Sequence, residues 1–453
     1  MKARSKLSLS TTQVILLSFL LTILLGSLLL FLPISTKNGV SVPYLDALFT
    51  ATTATCVTGL VTLPTATAWS TFGQVVILVL IEIGGLGTIT VLSGIVIALH
   101  RKMGLKDHQL ISDALNVTSL SGLASLVKRV IFGTLVIETV GALLYLPVFV
   151  PQFGARGIFI SVFTSISAFC NAGIDILGNN SLCAYATHPL VNAVTGTLIV
   201  LGGLGFIVWW DLLRVFRDFR KMGLRCFHRL TLHSKIVLGT TAVLIFSGAL
   251  LIFLLEYQNP QTLAGRSLFD KIQIALFQSI TTRTAGFATV AQEDLTSATA
   301  ILCLVLMFIG GSPVGTAGGV KTVTVAVLFA TALSVIRGKS ETTLFGRTLS
   351  REAVRKAVAV VATSFFILLL STVLLAALTP APALDVMYET VSAAATVGLS
   401  RNLTPSLPPL GKIVIIATMY FGRVGPISLA TLLQVKKESS GSIKDPTENI
   451  TVG

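Results

Sequence analysis

The sequence predicts an all-α integral membrane protein made of four pseudo-fourfold repeats of helix, re-entrant pore helix and loop, helix, with eight transmembrane helices around one central pore. Three observations predict it. Of the 453 residues, 53% are hydrophobic and 11% charged, with a mean hydropathy of +0.87, which is more apolar surface than a soluble core can hide. Apolar runs near residues 11–33, 72–99, 130–150, 190–213, 236–255, 298–336, 357–378 and 410–434 each reach the roughly 20 residues a spanning helix needs. A glycine-centred segment recurs four times, as Cys56-Val57-Thr58-Gly59-Leu60, Cys170-Asn171-Ala172-Gly173-Ile174, Arg283-Thr284-Ala285-Gly286-Phe287 and Ala395-Thr396-Val397-Gly398-Leu399, its glycines 114, 113 and 112 residues apart. The repeats are placed at 1–100, 101–222, 223–337 and 338–435, followed by a cytoplasmic C-terminal tail at 436–453.

Taken in chain order, the first apolar run follows Lys2, Arg4 and Lys6. It exceeds the roughly 7 to 15 apolar residues of a signal peptide and is read as the first helix. In each repeat a shorter stretch precedes the glycine: Tyr44 to Ala54, Gly157 to Phe169, Ser267 to Thr282 and Leu384 to Ala394, 11 to 16 residues that cross half a bilayer. Non-helical backbone at that depth is tolerated only inside protein or beside water, so four such loops imply one aqueous funnel. Asp46 and Asp385 lie 13 residues before their glycines and Asp270 lies 16 before its own, where they are expected to cap the re-entrant helices. The opposite ends of those helices would aim their negative poles at the funnel and favour a cation there. Inner helices carry Gly84-Gly85-Leu86-Gly87, Gly202-Gly203-Leu204-Gly205, Gly310-Gly311-Ser312 and Gly422-Arg423-Val424-Gly425, starting 25, 29, 24 and 24 residues beyond the respective glycines. Small residues there allow close helix packing. The third inner helix is expected to break, across Gly310-Gly311-Ser312-Pro313-Val314-Gly315-Thr316-Ala317-Gly318-Gly319-Val320-Lys321, a run too rich in glycine to stay helical.

Of the 33 basic residues, 24 fall in the N-terminus, the loops at 100–129, 214–235 and 337–356, and the tail, whereas 7 fall on the opposite side. By the positive-inside rule both termini of this multi-pass chain face the cytoplasm, and the four re-entrant segments enter from outside. The net charge of +14 therefore belongs to membrane topology, not to nucleic-acid binding. The five cysteines have no CxxC spacing and no histidine pair has metal-ligand spacing. No GxSxG, Walker A or strand-borne GxGxxG motif is present, so no enzymatic activity, cofactor or ATP coupling is assigned to this chain. Arg423 stands in an apolar run, where a charge at the membrane centre costs on the order of 2.5 to 3.5 kcal/mol, and such a residue faces a cavity or a partner. Glu82, Glu138 and Asp211 are read as pairing with neighbouring helices or lying near an interface rather than as a proton or sodium relay. Asp175, just beyond Gly173, fits either an outer mouth that concentrates cations or a solvated loop.

With these motifs in hand, the chain resembles the potassium-translocating subunits of the Ktr, Trk and HKT superfamily over almost its whole length. Only glycine is common to the four loops and none reads TVGYG, so the combination carries the resemblance. It implies a selectivity filter of Val57, Thr58 and Gly59, Asn171, Ala172 and Gly173, Thr284, Ala285 and Gly286, and Thr396, Val397 and Gly398, with potassium held at their carbonyls. Plant relatives that favour sodium have serine at the first glycine; Gly59 is retained here. The resemblance further implies an intramembrane gate containing Gly310, Gly311, Gly315, Gly318, Gly319 and Lys321, with Arg423 beneath the filter opposing leak. It implies a homodimer in a bacterial plasma membrane, a cytoplasmic KtrA-like RCK ring that carries the nucleotide site, and sodium as a coupling or activating ion. A secondary transporter of another cation or small solute is the alternative reading. Its repeats are commonly inverted, whereas these four run parallel.

Overall fold

A computed structural model of the chain describes residues 11–37, 41–88, 90–91, 93–94, 123–217, 219 and 223–425. The basic N-terminal residues, most of the loop at 100–129, the end of the last apolar run and the tail at 436–453 lie outside them.

Four repeats follow one another. The first consists of α1 (Thr11–Phe31), α2 (Tyr44–Thr55) and α3 (Thr71–Leu86), the second of α4 (Leu123–Phe153), α5 (Arg156–Phe169), α6 (Pro189–Leu204) and α7 (Phe206–Arg217). The third contains α8 (Leu232–Glu256), α9 (Leu268–Thr281), α10 (Ser297–Phe308) and α11 (Thr322–Ile336), the fourth α12 (Arg351–Leu378), α13 (Ala383–Ala394) and α14 (Pro409–Val424). A small antiparallel hairpin, β1 (Thr343–Leu344) with β2 (Arg347–Thr348), joins the last two repeats.

The outer helices α1, α4, α8 and α12 are long and apolar enough to cross a membrane. Their outward faces are apolar: Leu21, Leu25 and Leu28 on α1, Phe246 and Leu250 on α8, and Phe365, Phe366 and Val373 on α12 are exposed, as a lipid-facing surface requires. Starts are marked by hydroxyl caps. The side chains of Ser70, Thr231, Ser267, Thr296 and Ser350 each accept the N–H three residues on, a contact worth about 1 kcal/mol.

The short helices α2, α5, α9 and α13 are the re-entrant ones, within two residues of their expected limits. Each packs against the inner helix of the preceding repeat: α5 on α3, α9 on α6, α13 on α10 and α2 on α14, which closes the ring. Hydroxyl-bearing side chains pack inward on them: Thr50, Thr52, Thr53, Ser165, Ser167, Ser279, Thr390 and Ser392 are buried.

Two expectations are corrected here. The acids do not cap: Pro43 and Pro382 occupy the N-cap positions of α2 and α13 and Ser267 caps α9. Asp46 instead accepts from Lys412 on α14 at 2.5 Å, and Asp385 from Arg401 at 2.7 Å. Arg401 also reaches the carbonyl of Gln292 in the third repeat, so both acids join neighbouring repeats. Asp270 does stay local, accepting from the Ser267 hydroxyl at 2.7 Å.

The inner helices are also less continuous than expected. The helices α3, α6 and α14 end at Gly87 (φ 86°, ψ 133°), Gly205 (φ 87°, ψ 143°) and Gly425 (φ 89°, ψ 145°), a conformation that residues other than glycine rarely adopt. At Gly205 the chain turns by 99° between α6 and α7. Upstream glycines of the same clusters do serve packing. A β-carbon at Gly84, Gly202 or Gly422 would stand 2.0, 1.9 or 2.3 Å from the carbonyl oxygen of Thr55, Phe169 or Ala394, the last residues of α2, α5 and α13.

Candidate ion-conducting site

The four glycine loops meet. A β-carbon on Gly59 would lie 2.6 Å from the Ala172 carbonyl oxygen, one on Gly173 2.6 Å from that of Ala285, one on Gly286 2.6 Å from that of Val397, and one on Gly398 2.2 Å from that of Thr58. The carbonyl one residue before each glycine thus abuts the glycine of its neighbour, and the ring runs 59, 173, 286, 398. All four glycines have positive φ, from 65° to 97°. Conformation and space therefore both require glycine.

Two residues earlier, Val57, Asn171, Thr284 and Thr396 are left-handed, with φ of 55°, 58°, 66° and 52°. Three of them are β-branched, for which this region costs of order 1–3 kcal/mol each. Hydrogen bonds to the pore helix hold them. The amides of Thr58, Ala172 and Val397 donate to the carbonyls of Thr53, Ser167 and Ser392, each at 2.8 Å.

A set of hydroxyls completes this support, and the sequence reading missed it. The Thr53 and Ser392 hydroxyl oxygens accept from Gly59 N–H at 3.0 Å and Gly398 N–H at 2.9 Å. Ser167 and Thr281 donate to the carbonyls of Ile174 at 2.5 Å and Phe287 at 2.6 Å. A hydroxyl six residues before three of the glycines and five before the fourth was the available signal.

Above the ring lies an open cavity of about 580 Å3 whose floor includes Gly59, Gly173, Gly286 and Gly398. Asp175 lines it and accepts from Leu177 N–H at 3.1 Å. Burial pushes its carboxyl up to about 6, against the pull of the hydrogen bonds it accepts.

Below the ring lies the stretch between α10 and α11. Its neck is closed by Gly310 N–H to Val320 O at 3.0 Å and Gly311 N–H to Gly318 O at 3.3 Å. The rest lies against the second inner helix: Ser312 and Thr316 N–H donate to the carbonyls of Gly203 and Gly202 at 2.9 and 3.1 Å, and Phe206 N–H donates to Val314 O at 3.0 Å. Gly315 and Gly205 pack together, a β-carbon on Gly315 falling 3.1 Å from Gly205 Cα. Gly318 sits against the fourth glycine loop, where a β-carbon would stand 2.0 Å from Thr396 Oγ1. Gly319 has φ of 65° at the neck, and Lys321 Nζ donates to Ala317 O at 2.6 Å.

Arg423 is brought to the same place. Its guanidinium donates to Thr316 O in this stretch and to Gly84 O on α3, both at 2.5 Å. Among the described residues no carboxylate lies within ion-pair distance of it, so carbonyls satisfy the charge.

The remaining acids divide. Asp211 accepts from Arg214 at 2.5 Å and from Thr231 N–H and hydroxyl at 2.9 Å, the structural pairing expected. Glu82 and Glu138 come together with Cys170, their ligand atoms all within 4.8 Å of one another. Residues scattered in the sequence without ligand spacing thus form one group, Glu138 and Cys170 buried and Glu82 half-buried.

A family model described as TrkH, cation transport protein, matches residues 6–445. The chain is 40% identical over 442 residues to the Ktr system potassium uptake protein B of Bacillus subtilis, covering 97% of this chain and 96% of that one. It is 38% identical to the potassium/sodium uptake protein NtpJ of Enterococcus hirae, covering 100% and 99%. The crystal structure of the potassium transporter TrkH from Vibrio parahaemolyticus superposes with a TM-score of 0.72 over 95% of this chain and 86% of that chain, at 18% identity, which is a likeness of fold.

Proposed function

This chain belongs to the TrkH family of cation transport proteins, and from that premise we propose that it carries potassium inward across the plasma membrane through the ring of glycine loops. The observation that carries the reading is the ring itself: four backbone carbonyls, from Thr58, Ala172, Ala285 and Val397, each against a neighbouring glycine. Such a ring exchanges an ion's hydration shell for protein oxygens. The negative ends of four pore helices add a field that favours a cation. Val57, Asn171, Thr284 and Thr396 supply further carbonyls at the ring. The names of the Bacillus and Enterococcus relatives, both potassium uptake proteins, favour potassium as the ion.

Gly310, Gly311, Gly315, Gly318, Gly319 and Lys321 form the gate and Arg423 is its counterpart across the pore. Supporting this are the lie of the stretch beneath Thr396 and the Arg423 contact to Thr316 O. Deleting Gly315 to Gly319 should raise potassium flux and weaken its dependence on a cytoplasmic partner. A folded deletion variant that carries less potassium than the parent would make the stretch a structural plug.

The protein works as a homodimer under a cytoplasmic nucleotide-binding RCK ring. The word system in a relative's name and the basic stretches at 100–129, 214–235 and 337–356, which offer a docking face, support that assembly. The basic stretches also favour cytoplasmic termini, and the repeat limits given above rest on the spacing of the four glycines. Sodium acts as a coupling or activating ion, a reading favoured by the potassium/sodium name of the Enterococcus relative. Rubidium-86 uptake into cells lacking their own potassium uptake, with and without external sodium and co-expressed partner, tests the whole reading. No uptake above the empty-vector level under any of these conditions would overturn it.

A further inference from the structure

The third loop differs from the other three in what it grips. Arg283 stands three residues before Gly286, where the other loops have Cys56, Cys170 and Ala395. It is 8% exposed, and no carboxylate lies within ion-pair distance of it among the described residues. Its Nη2 donates to Gly310 O at 3.2 Å, at the point where α10 gives way to the gate stretch. Its Nε, fully enclosed, has no acceptor among the described residues. Next along the chain, the Thr284 hydroxyl accepts from Gly318 N–H at 3.2 Å, on the other strand of the same neck. Gly310 and Gly318 are themselves in contact, a β-carbon on Gly310 falling 2.0 Å from Gly318 O.

We propose that Arg283 and Thr284 are positioning residues forming a two-point clamp by which the third filter loop holds the neck of the gate shut, so that opening breaks both contacts. The inference rests on the gate reading of Gly310 to Lys321 and adds to it where the gate is held. Shape alone does not require these side chains. The left-handed residue before each filter glycine is Val57, Asn171, Thr284 or Thr396, and the residue preceding it is a cysteine in two loops and an alanine in a third. A buried cation with one carbonyl acceptor is poorly satisfied where it stands. It is therefore a device for holding Gly310, not a contribution to folding.

The test uses Val314→Cys, within the gate stretch, as a reporter labelled from the cytoplasmic side by a membrane-impermeant thiol reagent, in detergent-solubilised and then liposome-reconstituted full-length protein. Arg283→Ala, the residue the fourth loop uses, and Thr284→Val, the residue the first loop uses, are each compared with the parent, with Arg283→Lys as the rescue. Release of a charged hydrogen bond should speed labelling at rest on the order of tenfold for Arg283→Ala, with potassium over sodium preference unchanged. Thr284→Val should speed it less, and Arg283→Lys should return it toward the parent. Unchanged labelling in both variants overturns the clamp, as does a lost ion preference with labelling unchanged. Should either variant fail to reconstitute, the other decides; should both fail, the pair is structural and the proposal is wrong. If labelling of the reporter in the parent does not differ between resting and transporting protein, the gate reading itself fails, which separates that outcome from failure of the clamp.

Discussion

Thr53 shows how much a single hydroxyl can carry at this site. It is fully buried, accepts Gly59 N–H through its side chain and Thr58 N–H through its carbonyl, and so holds two amides of a loop whose Val57 is strained at φ 55°. Thr53→Val leaves the Gly59 N–H buried without an acceptor, a loss of about 1–3 kcal/mol. We expect lower thermal stability in detergent and a weaker preference for potassium, with Thr53→Ser restoring both. A valine variant with the parent's stability and preference would show that the hydroxyl does not support the loop. Asp175 yields a second expectation at this scale. Its carboxyl, raised to about 6 by burial, is ionised above that pH and neutral below it. Lowering external pH from about 7.5 to 5 therefore removes a negative charge from the vestibule, and the potassium concentration for half-maximal uptake should rise. In Asp175→Asn that dependence should flatten; an identical pH profile in the variant places the titrating group elsewhere.

Among the elements, the pore helices were legible and the inner helices only partly so. Apolar length, half-membrane stretches and the glycine repeat are local properties, and they placed α2, α5, α9 and α13 within two residues. The bend at Gly205 was not legible, because Gly-Gly-Leu-Gly reads the same whether its last glycine packs a helix or breaks one. What decides it is a tertiary contact, Phe206 N–H to Val314 O, from a stretch more than a hundred residues away. The same limit hid Asp46 with Lys412 and Glu138 with Cys170, 366 and 32 residues apart. The sequence marks Arg423 as a charge in an apolar run but does not show its acceptors, the carbonyls of Thr316 and Gly84. Two unit charges about 6 Å apart repel by roughly 2.8 kcal/mol at an effective dielectric of about 20, on the order of 100-fold in rate if unrelieved. The carbonyls of Thr316 and Gly84 relieve part of that charge, so Arg423→Gln should raise maximal potassium flux severalfold. If the variant instead loses assembly while flux per folded protein stays constant, Arg423 is a structural strut between α14, α3 and the gate.

Over the whole molecule, fourfold pseudosymmetry is tightest at the glycine ring and is given up below it. Each repeat lends one glycine and one carbonyl to the ring, and each inner helix packs on the next pore helix. The inner helices α3, α6 and α14 end at a glycine of one conformation, whereas that of the third repeat opens into the stretch between Phe308 and Thr322. Under the function proposed here, selectivity belongs to all four repeats and gating to one. The central claim is that the glycine ring selects potassium. It is tested most directly by rubidium-86 influx into proteoliposomes of the purified protein, competed by potassium or by sodium, in the parent and in Gly59→Ser. At φ 97°, and 2.6 Å from the Ala172 carbonyl oxygen, a side chain at 59 must displace that carbonyl. Potassium should compete far better than sodium in the parent, and Gly59→Ser should narrow that difference while the protein stays folded. Equal competition by the two ions in the parent, or an unchanged ratio in the folded variant, would contradict it.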